Sequence, residues 1–509
     1  MRSRPQPLLA AGSIATLLTL GVCACSPGQG PGVDTSAGHG SSPGSSLAAA
    51  APGTAALPGT AVAPGTAVAL SATPAQLAAT VYARMTTAQR IGQLFMVGGP
   101  VTGLGSATTS AISTYHVGNL VLTGRTTSGA PPVRYLAGQA DNLATATATG
   151  GVPLFIAADQ EGGYVQVLQG TGFSRMPTAL TQGTWADTTL TAYATSWGAQ
   201  VMRSGVDVDL APVMDTVSQA FAPYNKPIGY YQREYGYTQA VVADKGTTFL
   251  RGMQAYGLAM TAKHFPGLGR VAGNTDTTAG VTDTVTTRTS ADIAPFRAAL
   301  GAGAHLLMVS SAYYSRIDPY HPAAFSSTVI RGMVRGDLGF TGIVVSDDLG
   351  NARQVAAWSL GARAVDFIGA GGDVVLTVNP YTIPAMVSAV TARAATDAVF
   401  RGWVQSAVMR VLTVKAQYGL LAPRLPVTGY FGPLTKTALQ RWLGIAQTGV
   451  FDATTIRALQ ARTGAPVTGV WDARSVAALQ TYLWLYHDGA TTWNARTVAG
   501  LQRYLVTQL

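Results

Sequence analysis

Cysteine, glutamate and histidine are scarce in this sequence. Its 509 residues include two cysteines, Cys23 and Cys25, and six histidines. Glutamate occurs only at Glu161 and Glu234, so nearly all of the 23 acidic residues are aspartate. Because both cysteines stand at the N-terminus, the rest of the chain has no disulfide framework and no cysteine metal site. Acid-base chemistry therefore falls mainly to aspartate.

Charge is also sparse. Only 11% of the residues are charged and 47% are hydrophobic, which is typical of a folded chain. The chain of 509 residues is longer than a single hydrophobic core supports, which predicts two or more domains. The net charge of +10 raises the possibility of an anionic partner. No Lys/Arg run or basic-aromatic motif supports nucleic-acid binding, so wall polymers or lipid headgroups are the better expectation.

The N-terminal segment is typical of an exported protein. Residues 1–25 combine early arginines, a short apolar core and small residues, the pattern of a signal peptide rather than a spanning helix. The end, VCAC, is similar to a bacterial lipobox with Cys25 as the lipidated residue, and an ordinary cleaved signal peptide is the alternative. Residues 26–75 repeat a PGTA unit three times and predict a disordered linker. Together they predict a lipid-anchored protein on the outer face of the cell membrane.

Eight short apolar runs follow the linker, separated for the most part by Ala-rich segments long enough for a helix. Continuous apolar runs predict strands buried on both faces, as in a parallel sheet. We therefore expect a (β/α)₈ TIM barrel over residues 76–422, with an open doubly wound sheet as the alternative. The runs are residues 91–98, 119–124, 153–159, 206–213, 259–265, 305–311, 342–348 and 373–378.

Polar residues stand at the carboxyl ends of five of these runs. In a barrel those ends share one mouth, where active sites are built. Any one of them alone could cap a helix, but five together predict a site. They are Asp159, Asp215, Lys263-His264, Ser310-Ser311 and Asp347-Asp348.

Residues 425–509 contain an internal repeat and form the second predicted domain. Residues 429–440, 449–460 and 469–480 recur every 20 positions, and residues 491–502 give a fourth copy. Each copy places an aromatic residue nine positions before a Gln, which predicts a small all-α module, either two three-helix-like units or one elongated unit. The pattern resembles the common bacterial peptidoglycan-binding module (PG_binding_1-like), which implies peptidoglycan as a partner.

The barrel mouth is suited to sugar chemistry. A carboxylate fixed at a strand end is what a glycosidic nucleophile requires, and only one of the adjacent pair Asp347 and Asp348 can face the mouth. The other would bond to loop backbone. Asp159, with Arg233 and the Lys263-His264 pair, offers acceptors and donors for sugar hydroxyls. Because cations occupy this cluster, no metal or other cofactor is expected.

Five motifs resemble glycoside hydrolase family 3, in particular its bacterial β-N-acetylglucosaminidase (NagZ-like) branch. They are DQEGG, APVMD, IGYYQREYG, AKHFPG and VVSDDLG, in that order over about residues 80–420. The resemblance implies a TIM barrel, a retaining mechanism and substrates that contain N-acetylglucosamine, such as muropeptides. By resemblance Asp347 is the nucleophile. The sugar-binding positions are Asp159, Arg233, Lys263 and His264.

The sequence departs from that pattern in the loop after AKHFPG. The branch usually has KHFPGHG and then Asp-Ser-His, whose Asp and His serve as acid/base. Here Leu268 replaces the first loop His, and Asn274-Thr275-Asp276 occupies the position of the second motif. We therefore expect Asp276 to be the general acid/base, with a pKa raised by loop closure. Asp283 and Glu161 are rival candidates, and a loop-bracing Asp276 is the alternative.

The predicted function is a retaining exo-β-N-acetylglucosaminidase that acts on cell-wall fragments. Two basic residues common after DxEGG are replaced by Tyr164 and Val167, which affects recognition of the sugar or its neighbour. Another family 3 β-glycosidase and an N-acetylglucosamine phosphorylase are alternatives, although Asp276 argues against phosphorolysis. Because the loop that usually carries the acid/base is altered, a catalytically inactive wall-binding lipoprotein is a further alternative.

Overall fold

The computed structural model describes residues 72–421, 427 and 429–506. The predicted signal peptide, its Cys25 and the linker up to residue 71 lie outside the described residues. Eight strands form the main sheet, and we number them in chain order. They are β1 Phe95–Pro100, β2 Asn119–Thr123, β3 Phe155–Ala158, β4 Val208–Asp209, β5 Ala259–Phe265, β6 Leu306–Val309, β7 Ile343–Ser346 and β8 Val375–Thr377.

The eight strands are parallel and close into a barrel. Each strand pairs with its neighbours in chain order, and β1 pairs with β8. A bridge between Val345 and Val374 joins β7 to β8 and completes the ring. The predicted TIM barrel is confirmed, and the open doubly wound alternative is wrong.

Seven of the eight predicted runs contain their strand, whereas the first run is shifted toward the N-terminus relative to its strand. β5 coincides with residues 259–265, whereas β1 begins only at Phe95. A helix, Thr87–Gly92, occupies the first part of the first run. Thr86 accepts a hydrogen bond from the Gln89 amide at 3.2 Å, and the Gln89 side chain accepts one from the Thr86 amide at 3.0 Å. This reciprocal capping starts the helix.

The barrel encloses one apolar cluster and carries a second one under its helices. Along β2, Val121 faces the interior while Leu120 and Leu122 pack against the outer layer. The helices of the barrel region are Pro74–Arg84, Thr87–Gly92, Ser106–Ser113, Ala130–Leu143, Ala146–Thr149, Ala179–Gln182, Asp187–Arg203, Gln239–Met253, Ala294–Gly301, the π-helix Thr328–Asp337, Leu360–Ala370, Ile383–Thr396 and Ala398–Gln417. None of the described helices is both long and apolar enough to cross a membrane.

The C-terminal repeats form one closed ring of four helices. In the first three repeats, the glutamine of the Leu-Gln pair bonds to the turn of the next repeat; Gln440, for example, donates to the Val450 carbonyl at 2.8 Å. Gln502 of the last repeat reaches the first, accepting from the Gly429 amide at 2.9 Å and donating to Thr435 at 2.8 Å. The expectation of two units or one elongated unit is wrong. The helices are Pro433–Trp442, Ala453–Thr463, Ala473–Tyr482 and Ala495–Val506.

Equivalent residues of the four repeats pack in layers inside the ring. Phe431 and Trp471 both stack on Trp493, with ring centroids 4.0 and 4.5 Å away. One leucine from each repeat, at positions 439, 459, 479 and 501, lies buried next to this aromatic layer. The ring also contacts the barrel, since Arg134 lies 5.5 Å over the Tyr504 ring and Trp484 packs on the barrel core.

Candidate active site

A cavity of about 540 Å³ opens at the carboxyl ends of the barrel strands. Every residue predicted to act in catalysis or sugar binding lines it, although they come from distant parts of the chain. They are Asp159, Arg233, Lys263, His264, Asp276 and Asp347. The barrel interior, represented by Leu210, Met308 and Leu376, forms part of the wall, so the cavity is a pocket rather than a channel.

A buried network of two cations and two carboxylates supports one side of the cavity. Lys263 Nζ lies 2.7 Å from Asp159 Oδ1 and 2.5 Å from Glu161 Oε1. Arg233 holds Glu161 in a fork, with Nε–Oε2 at 2.9 Å and Nη2–Oε1 at 2.8 Å. Its third nitrogen donates to the Pro227 carbonyl at 2.8 Å. Lys263 and Arg233 are therefore fixed in place by the protein itself.

Glu161 joins Lys263 and Arg233, and this excludes it as the catalytic acid. Burial alone would raise the pKa of Glu161, but attraction to Arg233 and Lys263 outweighs it and lowers the pKa to about 2. A carboxyl with that pKa carries no proton for transfer near neutral pH. The rival assignment of Glu161 as general acid is not supported by this geometry. The role of Glu161 as an ion-pair centre was missed from the sequence.

His264 is oriented by a buried aspartate. Its Nδ1 lies 2.7 Å from Asp215 Oδ2, and the same carboxylate accepts the His264 and Leu268 amides at 3.3 and 2.8 Å. The other ring nitrogen, Nε2, lies 3.5 Å from Arg233 Nη2. Asp215 is fully buried and does not line the cavity, so it positions His264 instead of contacting a ligand.

The two aspartates after β7 have different surroundings. Asp348 accepts the amides of Gly350 at 2.9 Å and Asn351 at 3.2 Å, and it also accepts Val378 across the mouth at 3.1 Å. Asp347 is half-buried on the cavity wall, and among the described residues its Oδ1 accepts one hydrogen bond, from the Asp348 amide at 2.9 Å. Both aspartates line the cavity, but Asp348 braces the loop backbone and Asp347 has fewer hydrogen bonds to it.

The loop that carries Asp276 is tied to the segment that follows Asp347. The Arg353 amide donates to the Asp276 carbonyl and the Gln354 amide to the Thr275 carbonyl, both at 3.0 Å. The Gln354 side chain bonds to the amide and the carbonyl of Val281 at 2.9 and 3.1 Å. These four bonds place the Asp276 side chain over the cavity.

Asp276 has the electrostatic character of an acid catalyst. The residue is exposed at the mouth, yet its carboxyl lines the cavity. Burial of the carboxyl there, with repulsion from Asp347 and Asp348, raises the pKa of Asp276 to about 7. The other rival, Asp283, is buried and accepts the amides of Val285 and Thr286 at 2.7 and 2.8 Å. Asp283 therefore stabilises a turn away from the cavity.

The chain matches proteins whose barrels share this fold. The model "Glycosyl hydrolase family 3 N terminal domain" matches residues 86–414, which is more than half of the sequence. The chain belongs to glycosyl hydrolase family 3. A β-hexosaminidase of Stenotrophomonas maltophilia is 34% identical over 258 residues, covering 49% of this chain and 74% of the relative.

Solved structures of family 3 enzymes are also similar. A β-N-acetylhexosaminidase from Beutenbergia cavernae is 48% identical with a TM-score of 0.65, covering 65% of this chain and 99% of that one. A family 3 β-N-acetylglucosaminidase from Paenibacillus is 28% identical with a TM-score of 0.60, covering 67% of this chain and 64% of that one. The similarity to both covers about two thirds of this family 3 chain.

Some polar residues of this family 3 barrel lie outside the cavity or beneath it. Ser310 bonds to the Ala312 amide and the Tyr314 hydroxyl, and neither Ser310 nor Ser311 lines the cavity. Asp209, which the sequence analysis missed, accepts the Gln160 amide at 3.0 Å. Burial raises the pKa of Asp209 to about 8, so its neutral form adds no charge beside Glu161. Its only sequence signal is an acid within an apolar run.

Proposed function

We propose that this family 3 glycoside hydrolase is a retaining exo-β-N-acetylglucosaminidase that removes terminal β-linked N-acetylglucosamine from cell-wall fragments. The observation that carries the proposal is the pairing, in one cavity, of the sparsely bonded Asp347 with Asp276, whose pKa is about 7. The proposed identity of the sugar rests on the relatives, since β-hexosaminidases and β-N-acetylglucosaminidases are among them.

The proposed reaction has two steps. Asp347 attacks the anomeric carbon while Asp276 gives its proton to the departing glycosidic oxygen, so a glycosyl ester forms as the old bond breaks. Asp276, now ionised, takes a proton from water, which attacks the same carbon and releases Asp347. The two inversions return the sugar in the β configuration. Asp276 then holds a proton again, ready for the next substrate.

The cationic network positions the sugar in this proposal. Asp159 accepts a hydrogen bond from Lys263 on one oxygen, and its other oxygen, which has no partner among the described residues, can accept one from a sugar hydroxyl. His264 presents Nε2 at the same wall. Because Glu161 neutralises part of the charge of Lys263 and Arg233, the wall favours polar, uncharged groups over anions. A pocket closed at its base accepts a chain end and thereby favours exo action.

The activity is tested with purified protein and aryl β-glycosides. Hydrolysis of the N-acetylglucosaminide, little hydrolysis of the glucoside, and loss of at least a thousandfold in Asp347→Asn would support the proposal. A product that is first released as the β-anomer supports retention. Preference for the glucoside would favour the other family 3 β-glycosidases instead.

Two further assays separate the remaining candidates. Formation of a sugar 1-phosphate that depends on added phosphate would indicate phosphorolysis, whereas free N-acetylglucosamine in phosphate-free buffer indicates hydrolysis. A folded protein that binds the wall but turns over no glycoside would indicate an inactive wall-binding lipoprotein.

The cellular location is part of the proposal. A lipid anchor on Cys25 would hold the enzyme at the outer face of the membrane, and the four-repeat ring would bind peptidoglycan. The support is the sequence pattern of residues 1–25 and of residues 425–509. Membrane fractionation of Cys25→Ser, and sedimentation with purified wall sacculi with and without residues 425–509, test the two parts separately.

A further inference from the structure

Three exposed tyrosines form a cluster beside the cavity that the proposed reaction leaves unused. Tyr164, Tyr230 and Tyr231 are 59%, 62% and 41% exposed. The ring centroids of Tyr164 and Tyr231 are 5.8 Å apart, and those of Tyr230 and Tyr231 are 5.0 Å apart, in both cases edge to face. We call these three residues the tyrosine rim. Adjacent exposed aromatic rings are a common feature of binding surfaces.

The tyrosine rim lies at the edge of the cavity. Val165, next to Tyr164 in sequence, lines the cavity, and so does Arg233, two residues beyond Tyr231. Arg125 also lines it and donates a hydrogen bond to the Tyr164 carbonyl. The tyrosine rim therefore adjoins the wall of the cavity that Arg125, Val165 and Arg233 form.

The backbone fixes the position of Tyr164. Tyr164 occupies the tip of a hairpin between residues 160–162 and 165–166. Gly162 and Gly163 have φ values of 100° and 55°, and a Cβ at Gly162 would lie 2.3 Å from the Pro177 carbonyl oxygen. Glycine is therefore required for this turn. At the base of the hairpin, the Gln160 side chain bonds to both the amide and the carbonyl of Leu168.

The other half of the rim is equally fixed. Asn225 Oδ1 accepts the Ile228 and Gly229 amides at 3.0 and 2.8 Å, and its Nδ2 donates to the Leu268 carbonyl at 2.7 Å. This carboxamide links the turn that carries Tyr231 to the wall of the cavity. The protein's own hydrogen bonds thus hold the aromatic surface in place, which lowers the entropic cost of binding to it.

We propose that Tyr164 and Tyr231, flanked by Tyr230, form a leaving-group subsite that stacks on the second sugar ring of a glycan. The inference rests on the proposed function and extends it by naming what is attached to the departing oxygen. A pyranose ring presents an apolar C–H face that packs against an aromatic face. Since the tyrosine rim offers aromatic faces rather than ammonium or carboxylate groups, the subsite favours an uncharged ring such as N-acetylglucosamine.

The test compares two substrates that share the cleaved sugar. One is N,N′-diacetylchitobiose, whose leaving group is a second N-acetylglucosamine ring. The other is N-acetyl-β-glucosaminyl fluoride, whose leaving group has no ring to stack. For Tyr164→Ala and Tyr231→Ala, the ratio of kcat/KM for the disaccharide to that for the fluoride is expected to fall about five- to tenfold, mainly through KM.

Matched variants separate stacking from folding. Tyr164→Phe keeps the ring and is expected to retain a wild-type ratio. Tyr320→Ala removes a tyrosine that is 81% exposed on another groove and is the unaffected control. Unchanged ratios in both alanine variants, or an equal fall in Tyr164→Phe, would overturn the subsite. A wild-type enzyme that cleaves neither substrate would overturn the proposed function first, and the subsite with it.

Discussion

Replacement of Asp276 by Asn tests the assignment of the acid most directly. Asn cannot donate a proton to the leaving oxygen but keeps the size of the side chain. General acid catalysis contributes roughly a hundred- to ten-thousandfold, so Asp276→Asn is expected to lose that much kcat/KM on an unactivated glycoside such as a disaccharide. An aryl glycoside with a good leaving group needs little protonation and should lose far less in its glycosylation step.

The pH dependence of kcat/KM gives a second quantitative test of Asp276. With the pKa of Asp276 at about 7, the carboxyl is roughly nine-tenths protonated at pH 6 and one-tenth protonated at pH 8. The kcat/KM of the wild-type enzyme on the disaccharide should therefore fall about tenfold between these pH values. That alkaline limb should be absent in Asp276→Asn, whose remaining activity no longer depends on this proton.

Stability supplies an independent readout for the same variant. Because the pKa is raised in the folded state, the folded protein binds more protons than the unfolded chain between about pH 4 and 7, so stability falls as the pH rises through this window. Asp276→Asn should consequently gain more Tm at pH 8 than at pH 5. Asp337→Asn, in an exposed ion pair with Arg288, is the control. Equal losses on both substrates, with the alkaline limb intact, would refute the assignment of Asp276.

Other perturbations have equally definite outcomes. Glu161→Ala leaves Lys263 and Arg233 without their shared carboxylate and should cost about 3–5 kcal/mol in the free energy of unfolding by urea, more than Glu161→Gln. Since the folded pKa of Glu161 is about 2, its contribution should be fully present above about pH 4.5 and disappear as the pH falls toward 2, which acid titration followed by circular dichroism measures. Gln502→Ala should cost about 1–3 kcal/mol and weaken the near-ultraviolet signal of the stacked Phe431 and Trp493, and an unchanged signal would contradict closure by Gln502.

The barrel and the composition of its mouth could be predicted from sequence because each depends on local patterns. A run such as residues 259–265 is apolar over its whole length, which is sufficient to identify a buried parallel strand. Asp347 and Lys263 follow from their positions at strand ends. The first run begins at residue 91, before the strand begins at Phe95, because the apolar pattern alone does not show that Thr86 and Gln89 cap a helix there.

The features that were missed depend on contacts between distant residues. Glu161 lies two residues after Asp159 in the same motif, and only the fold shows that Asp159 faces the cavity while Glu161 joins Lys263 to Arg233. The period of the C-terminal repeats identifies four copies. Whether they extend or close depends on a small rotation per repeat that the sequence pattern does not encode.

Closure gives the C-terminal module a fixed copy number. An open array of repeats can accept an extra repeat at either end. In this ring Gln502 bonds to Gly429 and Thr435, and a fifth repeat would separate Gln502 from both. The circle also brings the entry and exit of the chain together. A circularly permuted module, opened in a loop between two helices and with its original ends linked, is therefore expected to keep all four of its inter-repeat contacts.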